Sequence, residues 1–491
     1  MIQLRPYQDA TIAGIREKFK AGNKRVVMCL PTGGGKTICF TKMTLDTLQK
    51  HPERRVLILT DRIELCVQTF KTLRNFAIEP EVYNAQAHRS KPVTSRCVVA
   101  MVETVKRRHK TGSLNIGSFD LIIIDEAHKR NFNAIFEIWP DAFYIGATAT
   151  PVSSSKKDPM KNYWHDIVEE VDVIGLISDD FLAPVVAYHF LLIDESKLKK
   201  DSRKGDYTEK SQADEFGKPA VFAGMLKAYQ EQAEGLKTLV FCANIESTEQ
   251  TAANFRAAGY EAMSITSKDS SEHREKAKDW FHNSESGILV NCGILTTGYD
   301  HPPIECIILN RATMSIPLFM QMCGRGSRLS PNKERFIILD CGGNIKRMGT
   351  WDEDRKWITK FHNPPKPGPA QPPAVKECPK CNAIVAARVM DCPACGYIWE
   401  PQEKELVEGE LEQVKAIPPE IQGKKASQLT IREIETVRQI KGYKVGWALR
   451  IIRARYGADG LRRYAQLRKY KSGWVQHNLN GPTEFSDRKI Y

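Results

Sequence analysis

One segment of the sequence combines three glycines with a lysine and a threonine. Residues 31–37 read Pro-Thr-Gly-Gly-Gly-Lys-Thr, between the apolar run Val26–Leu30 and a predicted helix over Thr37–Gln49. Glycine has no Cβ, so backbone N–H groups of such a loop can surround a phosphate, and the start of the helix adds positive potential. Lys36 is predicted to reach the β- and γ-phosphates of ATP and Thr37 to ligate Mg²⁺, in a loop formed by Thr32, Gly33, Gly34 and Gly35. The general pattern has a glycine where this chain has Leu30, so a glycine-rich turn without a ligand is the alternative.

Two adjacent carboxylates follow another apolar run, Leu121–Ile124. The carboxyl ends of parallel strands are where open α/β sheets bind their ligands. Asp125 is therefore predicted to hold Mg²⁺, and Glu126 to orient and deprotonate an attacking water. The alternative is a pair of solvated acids at the start of the next helix.

A third segment places two arginines three residues apart. Residues 321–328 read Gln-Met-Cys-Gly-Arg-Gly-Ser-Arg, which fits Gln-x-x-Gly-Arg-x-x-Arg. On a helix, Arg325 and Arg328 would share one face, and two guanidinium groups suit the negative charge that develops on a γ-phosphate. The alternative is an ordinary basic surface helix.

Taken in this order, the three segments resemble the motifs of superfamily-two helicases, and Asp125-Glu126-Ala127-His128 resembles the DEAH form of the Walker B motif. The resemblance covers about residues 1–345. It implies catalytic roles for Glu126, Gln321, Arg325 and Arg328, and a histidine that couples ATP to Thr148-Ala149-Thr150. Leu4-Arg5-Pro6-Tyr7-Gln8 resembles the adenine-recognition motif, which implies ATP contacts for Arg5 and Gln8.

Two further segments extend the resemblance into the second half of the chain. Residues 295–300 occupy the place of the segment that contacts the ATP ribose and the nucleic-acid backbone, which implies ATP contacts for Gly298 and Asp300. Residues 238–247 resemble a nucleic-acid-contacting segment. The Arg-Pro-Tyr-Gln opening and the late cysteines also look like bacterial RadD-type DNA repair helicases and their phage relatives.

Four cysteines form two Cys-x-x-Cys pairs with ten residues between them: Cys378, Cys381, Cys392 and Cys395. Four thiolates in two such turns match tetrahedral Zn²⁺, and no ligand position is left open, so the metal is predicted to be structural. Asn382 and Gly396 follow the two pairs and permit the turns that direct backbone N–H groups at sulfur. A rubredoxin-like iron site and a redox or disulfide role are the alternatives. The remaining nine cysteines are scattered and read as reduced core residues.

The elements that must position these residues are two series of short, Val- and Ile-rich runs separated by helical segments. This pattern predicts an α/β fold with two tandem RecA-like P-loop domains, each with a parallel sheet covered on both faces. Six prolines between Pro364 and Pro373 predict an extended spacer that lets the motor fold without the cysteine element. The predicted divisions are residues 1–155 and 156–361 for the two domains, 362–376 for a Pro-rich linker, 377–400 for a zinc ribbon, and 401–491 for an acidic linker and basic helical tail.

The charge of the chain is concentrated at one end. Of a net charge of +13, residues 421–491 hold +11, with 16 Lys/Arg against 5 Asp/Glu. Apolar residues at helical spacing over Thr430–Tyr456, with Gly442 and Gly446 in between, predict two helices joined by a turn. A basic segment with interleaved aromatic residues favours a polyanionic partner over a merely solubilising tail.

The sequence therefore predicts an ATP- and Mg²⁺-dependent motor that translocates on or unwinds DNA. An RNA helicase, and a zinc-dependent recruitment protein that uses the motor as a nucleotide switch, are the alternatives. The chain shows no apolar run long enough to cross a bilayer and no secretory pattern at Met1–Gln8, so a cytoplasmic location, in a bacterial cell or a phage-infected host, is expected.

Overall fold

The computed structural model describes residues 3–85, 93–153, 158–190, 192–201, 205–296, 298–364, 373–399, 417–470, 473–480, 482–484 and 487. Residues 1–400 form one compact unit and residues 401–491 another. No helix in these ranges is both long and apolar enough to cross a membrane.

The first sheet has seven parallel strands in the order β3-β4-β2-β5-β6-β1-β7. They are β1 Arg25–Cys29, β2 Val56–Thr60, β3 Glu81–Tyr83, β4 Cys97–Met101, β5 Leu121–Asp125, β6 Phe143–Thr148 and β7 Asp166–Val168. Alternate residues of β1 enter two separate clusters of buried apolar side chains, so both faces of the sheet are covered. The covering helices are α1 Pro6–Lys20, α2 Lys36–Lys50, α3 Ile63–Asn75, α4 Val102–Lys110 and α5 Ile135–Ile138.

The second sheet has eight strands in the order β12-β13-β11-β14-β15-β8-β17-β16. Its strands are β8 Val185–His189, β11 Thr238–Cys242, β12 Ala262–Ile265, β13 Ile288–Asn291, β14 Cys306–Asn310, β15 Phe336–Asp340, β16 Val375–Glu377 and β17 Ala383–Ala386. A two-stranded hairpin, β9 Lys200–Asp201 and β10 Asp206–Tyr207, stands apart from it. The helices of this part are α6 Val173–Ser178, α7 Glu209–Phe216, α8 Pro219–Gln232, α9 Ile245–Ala257, α10 Ser271–Asn283, α11 Ile316–Cys323, α12 Asn344–Met348 and α13 Trp357–His362.

Both sheets confirm the predicted α/β fold with two tandem RecA-like domains. The domain limits differ from the prediction at two places. Strand β7 pairs with β1 in the first sheet, so the first domain continues beyond the predicted boundary at residue 155. After the second sheet the chain returns, because Trp357 and Phe361 of α13 are buried in a core cluster of the first domain.

The cysteine element also lies where the sequence did not predict it. Strand β17 pairs antiparallel with β8, and β16 pairs with β17, so the cysteine hairpin forms the edge of the second sheet. The expectation that the spacer leaves this element separate from the motor is wrong. The physical reason is that a sheet edge offers unpaired backbone groups, and β17 satisfies those of β8. Residues 365–372 of the predicted linker and 400–416 of the predicted acidic stretch lie outside the described residues.

The described residues of the C-terminal unit form the α-helices α14 Ile431–Ile440, α15 Val445–Leu467 and α16 Trp474–His477. Helices α14 and α15 confirm the predicted helix pair, with the turn at Gly442. The backbone of α15 is kinked at Gly457, which has a φ of 57°. A buried carboxylate, Glu435, accepts hydrogen bonds from Arg438, Tyr464 and Arg468 and ties these elements together.

Candidate functional site

The glycine-rich loop connects β1 to α2 at the carboxyl edge of the first sheet. Gly33 and Gly35 have φ values of 86° and 82°, in the region that favours glycine. A Cβ on Gly35 would lie 2.3 Å from Nε2 of Gln8, and one on Gly33 would lie 2.8 Å from Cδ2 of Leu182. The backbone conformation therefore favours glycine at both positions, and a Cβ at either would displace the side chain that it meets.

Residues of α1 hold this loop from outside. The hydroxyl of Tyr7 and Nε2 of Gln8 donate to the carbonyl oxygen of Gly34 at 3.0 and 3.1 Å, and Oε1 of Gln8 accepts from the Arg5 N–H at 3.0 Å. The guanidinium of Arg5 lies over the ring of Phe181. The predicted adenine contact of Gln8 stays a prediction, since both ends of its amide already have protein partners.

Lys36 and Thr37 open helix α2, and both side chains are half-buried. The Lys36 ammonium donates to the carbonyl oxygens of Leu30 and Pro31 at 3.3 and 3.5 Å. These contacts are long and the acceptors are neutral, whereas a phosphate oxygen is a stronger, charged acceptor. An anion bound in this loop would therefore meet the Lys36 ammonium, a space lined by glycines and the first residues of helix α2.

Asp125 ends β5, and Glu126 follows it with a φ of 53°, an unusual backbone conformation for a glutamate. Burial raises the pKa of Asp125 to about 7, and the adjacent Glu126 adds to the rise. Burial alone would raise the pKa of Glu126, yet nearby positive groups keep it below its ordinary value. Burial also lowers the pKa of His128, so its imidazole is mostly neutral near neutral pH. The positive charge beside Glu126 then comes from Lys36 and Lys129. A divalent cation would stabilise this buried acidic pair, so the donor set fits Mg²⁺.

His128 lies between the carboxylate and the following strand, as its motif predicts. Its Nδ1 is 3.3 Å from Oε2 of Glu126 and 2.9 Å from Oγ1 of Thr148, at the end of β6. The same threonine hydroxyl accepts from the Thr150 N–H at 3.1 Å. A displacement of Glu126 can therefore reach residues 148–150 through a single imidazole.

The second domain contributes three side chains to the same place. Nε2 of Gln321 donates to Oε2 of Glu126 at 3.1 Å, a direct contact between the two domains. Arg325 donates to the carbonyl oxygens of Tyr299 and of Thr296, the latter at 2.9 Å. Arg328 donates to the Tyr299 carbonyl oxygen at 3.2 Å and pairs with the Asp300 carboxylate at 2.6 Å.

The arginine pair does not lie on a helix as expected. Helix α11 ends at Cys323, and Gly324 begins a loop that carries Arg325 and Arg328. The two guanidinium groups still converge, because both bond the same carbonyl oxygen. Nε of Arg325 is buried and has no hydrogen-bond partner among the described residues, so this group keeps one donor for an anion.

Two glycines allow the arginine loop to approach the phosphate loop. A Cβ on Gly324 would lie 2.7 Å from Cβ of Thr32, and one on Gly33 would lie 4.0 Å from Cγ of Arg328. Because real Cβ contacts are essentially never shorter than 3 Å, only glycine at position 324 permits this approach. The segment at Gly298, with a φ of 75°, likewise faces Leu65 of α3 across the interface.

The sequence reasoning missed a group of residues directly after β2. The Asp61 carboxylate pairs with the Lys129 ammonium at 2.5 Å, and one Asp61 oxygen is buried without a partner among the described residues. Nη1 of Arg62 donates to the carbonyl oxygen of Gly293 at 3.2 Å, a second bond between the domains. The signal for both residues was available, since polar Asp61 and Arg62 directly follow a fully buried strand of a parallel sheet.

The four cysteines of the hairpin come together at the edge of the second sheet. Their Sγ atoms all lie within 4.8 Å of one another, with Cys378–Cys395 at 3.7 Å and Cys381–Cys392 at 3.6 Å. Tetrahedral zinc with Zn–S bonds of about 2.3 Å requires S–S separations of about 3.8 Å. Asn382 and Gly396 have φ values of 61° and 69°, which confirms the predicted turns. The cluster fits a structural zinc site.

A surface of the C-terminal unit is basic and partly aromatic. Residues 436–458 contain six Lys/Arg and no acidic residue. Arg438 pairs with Glu435, while Arg453 and Arg455 bond backbone carbonyls. The exposed cationic side chains of this segment that have no hydrogen bond or ion pair with the described residues are those of Lys441, Lys444 and Arg450. Beside them the exposed ring of Tyr443 lies 4.8 Å from that of Trp447.

Comparisons with known proteins match both halves of the motor. Residues 1–153 match the family described as "Type III restriction enzyme, res subunit", and residues 218–330 match "Helicase conserved C-terminal domain". A 51.5 kDa protein of a Lactococcus phage (isolate 7-9) is 29% identical over 392 residues, which cover 78% of this chain and 81% of the phage protein.

A yeast protein and a solved structure extend these matches. The Saccharomyces cerevisiae protein named "Putative ATP-dependent helicase IRC3" is 31% identical over 367 residues. The match covers 69% of this chain but only about half, 51%, of IRC3. The type ISP restriction–modification enzyme LlaBIII, solved bound to DNA, aligns with a TM-score of 0.52 at 18% identity, over 73% of this chain and 29% of that enzyme. This last likeness concerns the fold alone.

Proposed function

The chain belongs to the superfamily-two helicases, and from this premise we propose that it is a nucleic-acid-stimulated ATPase that uses hydrolysis to translocate on or unwind DNA. The observation that carries the proposal is the contact of Gln321 with Glu126, next to the arginine loop, whose Gly324 and Arg328 lie beside the phosphate loop. A site assembled from both domains makes hydrolysis depend on their closure. Closure and reopening are the motion that a translocating motor needs.

In the proposed reaction, Lys36 and the glycine-rich loop hold the β- and γ-phosphates of ATP. Glu126, kept ionised by the neighbouring lysines, orients the attacking water and accepts its proton, while Gln321 fixes the carboxylate through one oxygen. As the water bonds to the γ-phosphorus and the bond to the bridging oxygen of ADP breaks, Arg325 with its unpartnered Nε–H and Arg328 with its guanidinium stabilise the charge that develops on the transferred phosphoryl group. Asp125 and Thr37 would hold Mg²⁺, which neutralises phosphate charge when bound.

Hydrolysis would be coupled to the nucleic acid through the second domain. Tyr299 and Thr296 provide the carbonyl oxygens that orient Arg325, and they belong to the segment predicted to contact the nucleic-acid backbone. A bound nucleic-acid strand that shifts residues 295–300 would therefore also shift the guanidinium group of Arg325. His128 offers the corresponding route in the first domain, from Glu126 to Thr148.

The comparisons favour DNA over RNA as the nucleic acid on which this chain acts. The first domain matches a restriction-enzyme family, and an enzyme of similar fold has been solved bound to DNA. Four thiolates at tetrahedral spacing support a structural zinc in the hairpin, and the basic surface around Lys441 supports a second grip on the phosphate backbone. The narrower resemblance to RadD-type helicases, and with it a role in repair, recombination or replication, stays a prediction.

The test is ATP turnover by the whole chain with single-stranded DNA, duplex DNA and single-stranded RNA. We expect DNA to stimulate turnover more strongly than RNA. Lys36→Ala should abolish turnover by removing the phosphate-binding cation, whereas Glu126→Gln should retain ATP binding and lose hydrolysis.

Three outcomes would contradict the proposal. Equal loss of ATP affinity in both variants would overturn the separate roles of Lys36 and Glu126. Equal stimulation by RNA would favour an RNA helicase. Turnover that no nucleic acid changes would favour a recruitment protein in which the motor is a nucleotide switch.

A further inference from the structure

A lysine that no motif contains lies at the centre of the second domain's catalytic segments. Lys333 ends a turn that begins at Ser330, and its side chain is buried, with the whole residue 8% exposed. Its ammonium donates to four backbone carbonyl oxygens: those of Pro302 at 3.0 Å, of Arg328 at 2.9 Å, and of Ile304 and Gly326. No carboxylate pairs with it among the described residues.

The four carbonyls belong to two segments that matter for hydrolysis. Gly326 and Arg328 lie in the loop that carries the two arginines. Pro302 and Ile304 directly follow Tyr299 and Asp300, which accept from those arginines. A single cation thus ties the arginine loop to the segment that orients its guanidinium groups.

A role in packing alone does not account for the charge. Burial lowers the pKa of Lys333 to about 7, so ionisation at this position is costly, and an apolar side chain would fill the space without that cost. The ammonium instead draws together carbonyl oxygens whose dipoles repel one another. Gly326 reinforces this arrangement, because a Cβ there would lie 2.4 Å from the ring of Phe336.

We propose that Lys333 is a positioning residue for ATP hydrolysis, fixing the loop that carries Arg325 and Arg328 against residues 299–304. This inference rests on the proposed function, since it requires the arginines to act on ATP. Lys333 itself touches no nucleotide; it acts through the backbone of the arginine loop. Its removal should therefore lower turnover and leave ATP binding at the phosphate loop intact.

The experiment measures kcat and KM for ATP in the whole chain with Lys333→Met. We expect kcat to fall on the order of 10- to 100-fold, as for a catalytic group displaced by about 1 Å, with KM changed less than about threefold. Lys333→Arg should restore part of kcat, because it keeps a cation with several donors. The matched control is Arg355→Met, which removes another buried cation that donates to backbone carbonyl oxygens, those of Met348 and Thr350, outside residues 299–304 and the arginine loop.

A double-mutant cycle separates positioning from general destabilisation. In an Arg328→Ala background, Lys333→Met should slow turnover much less than in the native chain, because its effect passes through the arginine loop. Circular dichroism and thermal unfolding are recorded for every variant, and Lys333→Gln replaces Lys333→Met in the cycle if the latter does not fold. A native kcat in Lys333→Met, or an equal loss in both backgrounds, would overturn the proposal. Native turnover in both Arg325→Ala and Arg328→Ala would instead refute the arginine roles of the proposed function.

Discussion

Replacing Cys378 and Cys395 by serine removes two of the four thiolates that fit zinc at the edge of the second sheet. We expect the variant to lose its metal. Because β17 pairs directly with β8, we also expect its second domain to be less stable. This differs from what the Pro-rich spacer predicts from sequence, namely a motor that folds without the cysteine hairpin. The difference makes the experiment a direct test of the sheet topology.

The size of the effect follows from what β17 buries. Ile384 and Val385 are each 5% exposed, and Ala383 and Ala386 are buried beside them. Burial of an Ile or Val side chain contributes roughly 1.5–3 kcal/mol, so on the order of 3–6 kcal/mol of hydrophobic stabilisation depends on the hairpin staying docked. For a domain of this size each kcal/mol shifts Tm by about 2–4 °C, so the second domain should unfold about 6–24 °C lower.

The assay combines elemental analysis for zinc with scanning calorimetry of the whole chain. The native protein is expected to contain stoichiometric zinc, and a strong chelator should lower its Tm in the same direction as the double substitution. Cys292→Ser is the matched control, since Cys292 is half-buried in the same unit but outside the cluster. A zinc-free variant with the native unfolding profile would refute the reasoning, and stoichiometric iron in the native protein would refute the choice of metal.

Two further substitutions test the interface and the basic surface. Gly324→Ala adds a Cβ 2.7 Å from Thr32 and should lower kcat on the order of 10-fold, because it hinders the approach of the arginine loop to the phosphate loop. The control Gly446→Ala, whose Cβ would meet no atom within 4 Å, should leave kcat unchanged. Native turnover in Gly324→Ala would mean that this approach is not needed. Changing Lys441, Lys444 and Arg450 together to Gln should weaken DNA binding and reduce the slope of log affinity against log salt by about 2–3, at 0.7–0.9 per lost phosphate contact. The charge-matched control changes the exposed residues Arg432, Arg462 and Lys469 to Gln, and equal losses in both triple variants would show that no particular surface binds DNA.

Much of the fold is legible in the sequence because its signals are local. The runs Val56–Thr60, Thr238–Cys242 and Ile288–Asn291 belong to the Val- and Ile-rich series, and each is a strand in the structure. They are continuously apolar because they are buried on both faces, and this pattern needs no knowledge of their neighbours. A short strand such as Asp166–Val168 has too few residues to show an apolar pattern. The sequence therefore does not predict β7 or the true extent of the first domain.

The residues of the candidate site can likewise be separated into those that the sequence predicts and those that only folding brings together. The glycines of the phosphate loop, the carboxylates after β5 and the four cysteines are fixed by residue type and spacing, because each set lies within a few residues of chain. The tertiary structure alone brings Gln321 to Glu126, Arg62 to Gly293 and Gly324 to Thr32, since these partners are far apart in sequence and meet only when the two sheets adjoin. It also decides that the cysteine hairpin is an edge of the second sheet, because strand pairing depends on which backbone groups are left open and not on the sequence of the hairpin. Lys333 is the extreme case: nothing around it in the chain marks it, and only folding makes four carbonyl oxygens converge on its ammonium.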